Sequence, residues 1–172
     1  MKKVGFLLLF IAIVVTYINA DSPVKQQDTM ELKTVEGKNL HLKITDRGFT
    51  FDDFKGKTVL LDFFGPACPP CIMEIPHLVE MQKKYEKEFQ IVGIQVQMPM
   101  KNEDLIDFIK EKKINYPVVN LDDAWPMINF IRSNTDWGGQ IPFMMMFDQN
   151  GTLKQSYLGL TSTETFVEDM KK

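Results

Sequence analysis

The chain has 172 residues, 44% of them hydrophobic and 25% charged, a length and balance that suit one globular domain with its own core and exclude a disordered chain. Setting aside Lys2 and Lys3 of the N-terminal segment leaves 18 basic residues against 23 acidic, a net charge of −5, which argues against a nucleic-acid binder, since such a protein needs a basic face. Cysteine occurs only twice, at Cys68 and Cys71.

The first twenty residues stand apart. Lys2 and Lys3 precede an apolar run from Val4 to Ile18, and the small residue Ala20 is followed by Asp21, Ser22 and Pro23. This is the three-part pattern of a secretory signal. The run is short for a membrane span, which needs about 20 apolar residues. The two readings are a cleaved signal over 1–20 and an uncleaved membrane anchor through residues 4–18. No cysteine lies near residue 20, which argues against a lipid anchor there. Either way the domain is expected outside the cytoplasm, periplasmic or otherwise extracytoplasmic, where disulfides persist. Residues 21–29 are polar and are expected to be a linker, leaving 30–172 as the domain.

No internal repeat or low-complexity tract is found. "MELKTVEGKNLHLKI" alternates around Glu36-Gly37 and predicts a β-hairpin in the region 30–57. "TVLLDFF", 58–64, is apolar on both faces except for Asp62, as a central, doubly covered strand would be. A helix is predicted from about Pro69 to Glu88, burying Ile72, Ile75, Leu78, Val79, Met81 or Gln82, and Tyr85. "FQIVGIQVQM", 89–98, is the next strand, and Asn102 is expected to cap a helix running to about Lys113. "YPVVNL" predicts a short strand, 124–134 a short helix, and 142–159 a hairpin turned at Asn150-Gly151. Thr161 and Glu164 are expected to form a capping box for a last helix. The order β-α-β-α-β-α-β-β-α implies an α/β fold, a mixed sheet with helices on both faces and right-handed crossovers.

The cysteines lie in "FFGPACPPC", 63–71. Zinc needs four ligands, or three and a water, and beyond the two cysteines this chain offers only His41 and His77, which do not make a second pair. A purely structural disulfide closing so small a loop would constrain the unfolded chain little. Redox chemistry explains the position. Cys68 falls between a central strand and a helix N-terminus, where unpaired N–H groups and the helix dipole favour a thiolate. Pro69 and Pro70 suit the first helical turn and hold it rigid, while removing two N–H donors that could have reached the sulfur. Moderate acidification of Cys68, and with it a reducing potential, is the expected result.

The segment "VLLDFFGPACPPC" resembles the strand–turn–helix of thioredoxins, and "CPPCIMEIPHL" is similar to the C-x-x-C-x-x-E-x-P-x-L pattern of the extracytoplasmic TlpA/ResA-like group. "FKGKTVLLDFF" and "IPFMMMFDQNGTL" match the group's G-K and P-T-x-x-x-I-D-x-x-G segments, so the resemblance spans about residues 30–172. It implies a thioredoxin-like fold with an N-terminal β-hairpin extension. It implies a cis Ile141–Pro142 peptide, with the backbone at Ile141 and Pro142 pairing with substrate beside Pro69 and Pro70. Pro76 matches the proline that kinks the cysteine helix. Glu74 matches the glutamate near the second cysteine, and Asp62 the buried aspartate of thioredoxins proper. Gly65, Pro66 and Ala67 depart from the pattern, Ala67 standing where a tryptophan is usual.

The implied activity is that of an extracytoplasmic thiol–disulfide oxidoreductase, a reductase of protein disulfides without a cofactor or metal. Its substrates would be exported proteins, apocytochrome c among them, and its electrons would come from a membrane thiol-reductant protein. Cys68 would attack, Cys71 would resolve, and Asp62 and Glu74 would handle protons, against the alternative that both carboxylates serve structure alone. Two competing readings keep the same fold. An oxidase or isomerase would need a large inserted or dimerisation domain, and only 43 residues separate Met98 from Pro142. A copper-binding assembly factor would use methionines such as Met98, Met100 and Met144–Met146, which also suit a core. A peroxidatic cysteine expects Thr or Ser three residues before it, where this chain has Gly65.

Overall fold

The structure is a computed structural model and describes residues 29–172. The expected signal or anchor, and all of the expected linker but Thr29, lie outside the described residues. Among the described residues no helix is long and apolar enough to cross a membrane.

The core is a five-stranded mixed sheet in the order β6-β5-β4-β7-β8, built from β4 (Thr58–Phe64), β5 (Phe89–Gln95), β6 (Val118–Val119), β7 (Phe143–Phe147) and β8 (Leu153–Leu158). β4 runs parallel to β5, and β5 to β6, while β7 and β8 are antiparallel. Every residue of β4, β5 and β7 is buried, so the continuous apolar runs are those of strands covered on both faces.

Two cores follow from the alternation of side chains. Val59, Leu61 and Phe63 point to one face, where α3 (Leu121–Asn134) packs through Ala124, Met127, Ile128 and Ile131. Leu60 and Phe64 point to the other, with Met144 and Met146, under α1 (Pro69–Lys84), α2 (Asn102–Lys112) and α4 (Thr163–Lys171). The methionine run therefore divides between the faces, Met145 lying in the first core and its neighbours in the second.

The N-terminal region is larger than the expected hairpin. β1 (Thr29–Lys33), β2 (Asn39–Thr45) and β3 (Gly48–Phe51) form a separate three-stranded antiparallel sheet. The third strand arises because "GFTF" alternates as the first two do, sending Phe49 and Phe51 into the α3-side core beside Leu40 and Leu42. This sheet reaches both edges of the main one. Val35 donates to Val118 at 2.9 Å on the β6 side, and Leu153 donates to Arg47 at 3.0 Å at the start of β8.

Several boundaries move, among them the start of α3, at Leu121 rather than 124, and the end of β5, at Gln95 rather than 98. α1 ends at Lys84, where Tyr85 leaves helical geometry, rather than near Glu88. Lys101, not Asn102, is the N-cap of α2, and the Asn102 carboxamide turns instead to Asn120. Ser162, not Thr161, caps α4 by accepting from the Thr165 N–H, so the expected capping box is not formed. The β7–β8 turn forms where expected. Gly151 adopts a φ of 79°, and Asp148 organises the loop by accepting from the N–H groups of Asn150 and Thr152.

Candidate active site

The site lies at the C-terminal end of β4, where the chain turns through Gly65-Pro66-Ala67 into α1. The Cys68 N–H donates to the Gly65 carbonyl at 3.1 Å, closing a four-residue turn with Pro66 at the position where its fixed φ is favoured. Cys68 is the N-cap of α1, and its sulfur accepts from the Cys71 N–H at 3.3 Å. Pro69 and Pro70 fill the first two helical positions and offer no N–H, so that of Cys71 is the first available. Cys68 and Cys71 are joined by a disulfide, with Cα atoms 5.3 Å apart. Cys68 is 6% exposed and Cys71 2%, which leaves Cys68 the more accessible sulfur. Pro76 sits inside α1 without ending it.

Two buried carboxylates lie on the sheet face that carries the cysteines. Asp62 is 3% exposed and shares its face of β4 with Leu60 and Phe64, which pack in the core containing both cysteines. Its strand neighbours are Gly93 on β5 and Met144 on β7. A Cβ at Gly93 would stand 3.2 Å from both Tyr116 and Val118 and 3.3 Å from Phe64, so these side chains close on the space that the glycine leaves. Among the described residues no hydrogen bond reaches the Asp62 carboxyl. Burial, and secondly repulsion from Glu74, push its pKa up to about 8. Tyr116, itself buried, is raised by burial and by the negative potential of both carboxylates.

Glu74, one turn beyond Cys71, is 2% exposed. Its Oε1 accepts from the Thr161 N–H at 3.2 Å, while its Oε2 is buried without a hydrogen-bond partner among the described residues. Burial raises its pKa, with the Thr161 N–H and His77 acting in the other direction. A cleft of about 420 Å³ lies alongside, lined by Met73, Glu74, His77, Leu160 and the residues that start α4.

The Ile141–Pro142 peptide is cis. Ile141 packs against both cores, including the one that holds the cysteines, and the Pro142 carbonyl accepts from the Gly159 N–H at 2.9 Å. The loop before it is held by Trp137, whose indole N–H donates to the Gln140 carbonyl at 2.8 Å and whose ring stacks on Phe143 with centroids 5.0 Å apart.

A set of amides escaped sequence reasoning. Gln95, fully buried at the end of β5, accepts from the Gln97 N–H at 2.7 Å and donates to Met98 and Asn120. Asn120 caps α3 and donates to Met100 and Asn102. The available signal was an amide inside the otherwise apolar "IVGIQV", at the C-terminal end of a parallel strand, where α/β sheets gather their sites. Among the described residues no group of three or more His, Cys, Asp and Glu side chains gathers to hold a metal ion.

A mixed sheet with a cysteine pair at a helix N-terminus and a cis-proline just before β7 defines a thiol–disulfide oxidoreductase of the thioredoxin class. The chain belongs to the AhpC/TSA family, whose model matches residues 28–169, and within that class it is TlpA/ResA-like. It is 29% identical over 152 residues to the thiol-disulfide oxidoreductase ResA of Bacillus thuringiensis, covering 86% of this chain and 76% of that one. It is 25% identical over 146 residues to the thioredoxin-like protein YneN of Bacillus subtilis, covering 84% and 75%. Among solved structures, a thioredoxin-family thiol:disulfide interchange protein from Chlorobium tepidum superposes with a TM-score of 0.67 at 27% identity, covering 83% and 91%. StoA from Bacillus subtilis, 22% identical with a TM-score of 0.60 over 82% and 95% of the two chains, shares the fold.

Proposed function

We propose that this oxidoreductase works as a reductase of protein disulfides outside the cytoplasm. The observation that carries the direction is the poverty of donors at Cys68. One helix N–H, that of Cys71, meets its sulfur, because the two residues between have none. A thiolate with few donors is only moderately stabilised, so the reduced form holds its electrons less tightly than in strongly oxidising relatives of the motif.

The exchange runs in two steps. The Cys68 thiolate attacks one sulfur of the substrate disulfide, forming a mixed disulfide and expelling the first substrate thiolate. Cys71 then gives its proton to Asp62 and attacks the Cys68 sulfur, expelling the second substrate thiolate and leaving the protein oxidised. A pKa raised to about 8 lies close to that of a thiol, so ionised Asp62 can take the Cys71 proton and, once protonated, return it to Cys71 when the disulfide is reduced again. Glu74, one turn beyond Cys71 on α1 and raised in the same direction, shares the proton traffic. Ile141 and Pro142, with Pro69 and Pro70 across the sulfur, form the surface on which substrate lies. Pro69 is exposed, Pro70 and Ile141 are half-buried and Pro142 is buried.

The resemblance directs this chemistry at exported proteins such as apocytochrome c, with a membrane thiol-reductant protein resupplying electrons. Residues 1–20 provide export, as a cleaved signal or as an anchor through 4–18. Equilibration of the Cys68–Cys71 couple with glutathione tests the direction. A potential well below the glutathione poise is expected; one near about −120 mV, that of a strong oxidant, would reverse the assignment.

A further inference from the structure

The turn that presents Cys68 is held from outside, and the residue that holds it lies 29 positions beyond that cysteine in the chain. In a Gly65-Pro66-Ala67-Cys68 turn, the Gly65 carbonyl and Cys68 N–H bond to each other, Pro66 has no N–H, and the Ala67 N–H is left over. Gln97 takes it, its Oε1 accepting from the Ala67 N–H at 2.8 Å. A second observation agrees. A Cβ built on Gly65 would run into the Gln97 carboxamide and into its Cβ, 2.5 Å away, so the Gln97 side chain occupies the space that glycine leaves. Gln97 is itself tied down, its own N–H donating to buried Gln95, which bonds to Asn120 at the cap of α3.

We propose that Gln97 is a positioning residue for Cys68, a clasp that closes over Gly65 and fixes the turn so that the sulfur meets the Cys71 N–H. The proposal rests on Cys68 being the attacking thiol. The clasp matters here because Pro69 and Pro70 leave the thiolate so few donors, and a turn free to swing would lose the Cys71 N–H for part of the time. Gly65 and Ala67 are then linked departures: glycine admits the glutamine, and the small side chain of Ala67 leaves its N–H open to it.

The test uses two single variants of the full domain, their combination and a rescue variant, each judged against the unfolding midpoint of the parent. Gln97→Met keeps the length of the side chain and removes the acceptor. Gly65→Ala keeps Gln97 and evicts it. Two readouts are taken, amide hydrogen exchange at Ala67 and the pH profile of Cys68 alkylation by iodoacetamide in the reduced protein. Both variants are expected to speed Ala67 exchange by about tenfold, the factor for loss of one net hydrogen bond of about 1.4 kcal/mol. Both are expected to move the alkylation midpoint upward and to slow alkylation threefold or more below it. The double variant is expected to be no worse than either single one, because both remove the same contact. Gln97→Glu, which restores an acceptor at the same reach, is expected to restore Ala67 protection. Unchanged exchange at Ala67 overturns the clasp. Faster exchange with an unchanged alkylation profile overturns the positioning role. Neither readout needs a protein substrate, so failure of the reductase assignment would show separately, as an alkylatable Cys68 that reduces no disulfide.

Discussion

Replacing Asp62 by Asn should flatten part of the pH dependence of stability, and the structure sets the size and sign of the effect. The carboxyl is 3% exposed in an apolar layer, and its pKa rises from 3.8 to about 8. A folded pKa above the unfolded one means that the native state binds the extra proton between those limits. The associated stability is complete below about pH 4, declines as pH rises, and is gone above about pH 8. At about 1.4 kcal/mol per unit, the window is worth on the order of 5 kcal/mol, with no discount for exposure in so buried a group. Asparagine cannot ionise and lacks this decline. Guanidinium unfolding of the oxidised parent and of Asp62→Asn at several pH values between 4.5 and 9 measures it. The expected result is a parent that loses ground steadily to the variant, by several kcal/mol over the range. Glu74 is raised in the same direction and is present in both proteins, so the difference reports Asp62 together with its coupling to Glu74. Two curves that run parallel to within about 1 kcal/mol would refute the claim that burial keeps this carboxyl protonated.

Cys71→Ser is expected to accumulate a mixed disulfide with substrate through Cys68, visible on a non-reducing gel, whereas Cys68→Ser forms none and turns over no disulfide. Glu74→Gln removes the second cause of the Asp62 shift, so the Asp62 carboxyl should titrate at a lower pH than in the parent, read from its NMR or infrared signal. Asn120→Ala strips partners from Gln95, Met100, Asn102 and Leu121 in a site only 3% exposed, and should cost about 2–3 kcal/mol in chemical unfolding. Trp137→Phe keeps a ring against Phe143 but loses the bond to the Gln140 carbonyl. It should raise KM more than it lowers kcat if the loop before Pro142 binds substrate.

What could be read along the chain was what local pattern determines. β4 is the predicted 58–64 because seven consecutive buried residues need nothing distant to identify them as a central strand. The Cys68 N-cap follows from two prolines that fit only a first turn. The caps of α2 and α4 were each misplaced by one residue for a common reason. Asn102 and Thr161 both have capping chemistry, but each is engaged by a distant group, Asn102 by Asn120 and the Thr161 N–H by Glu74, 87 positions away. The third N-terminal strand was hidden because "GFTF" is too short to be told from the run that leads into β4. The resemblance supplied Pro142 and Glu74, and it marked Gly65 and Ala67 as departures without a reason. The reason is tertiary. Gly65 abuts Gln97 because β5 lies parallel to β4 and the Val96 N–H donates to the Phe64 carbonyl, carrying the ladder one step past the strand ends. A residue two positions beyond β5 thereby reaches the turn that leads to Cys68. Pattern along one strand cannot reveal a contact made by the ends of two, and at the ends of parallel strands such contacts decide how a reactive group is held.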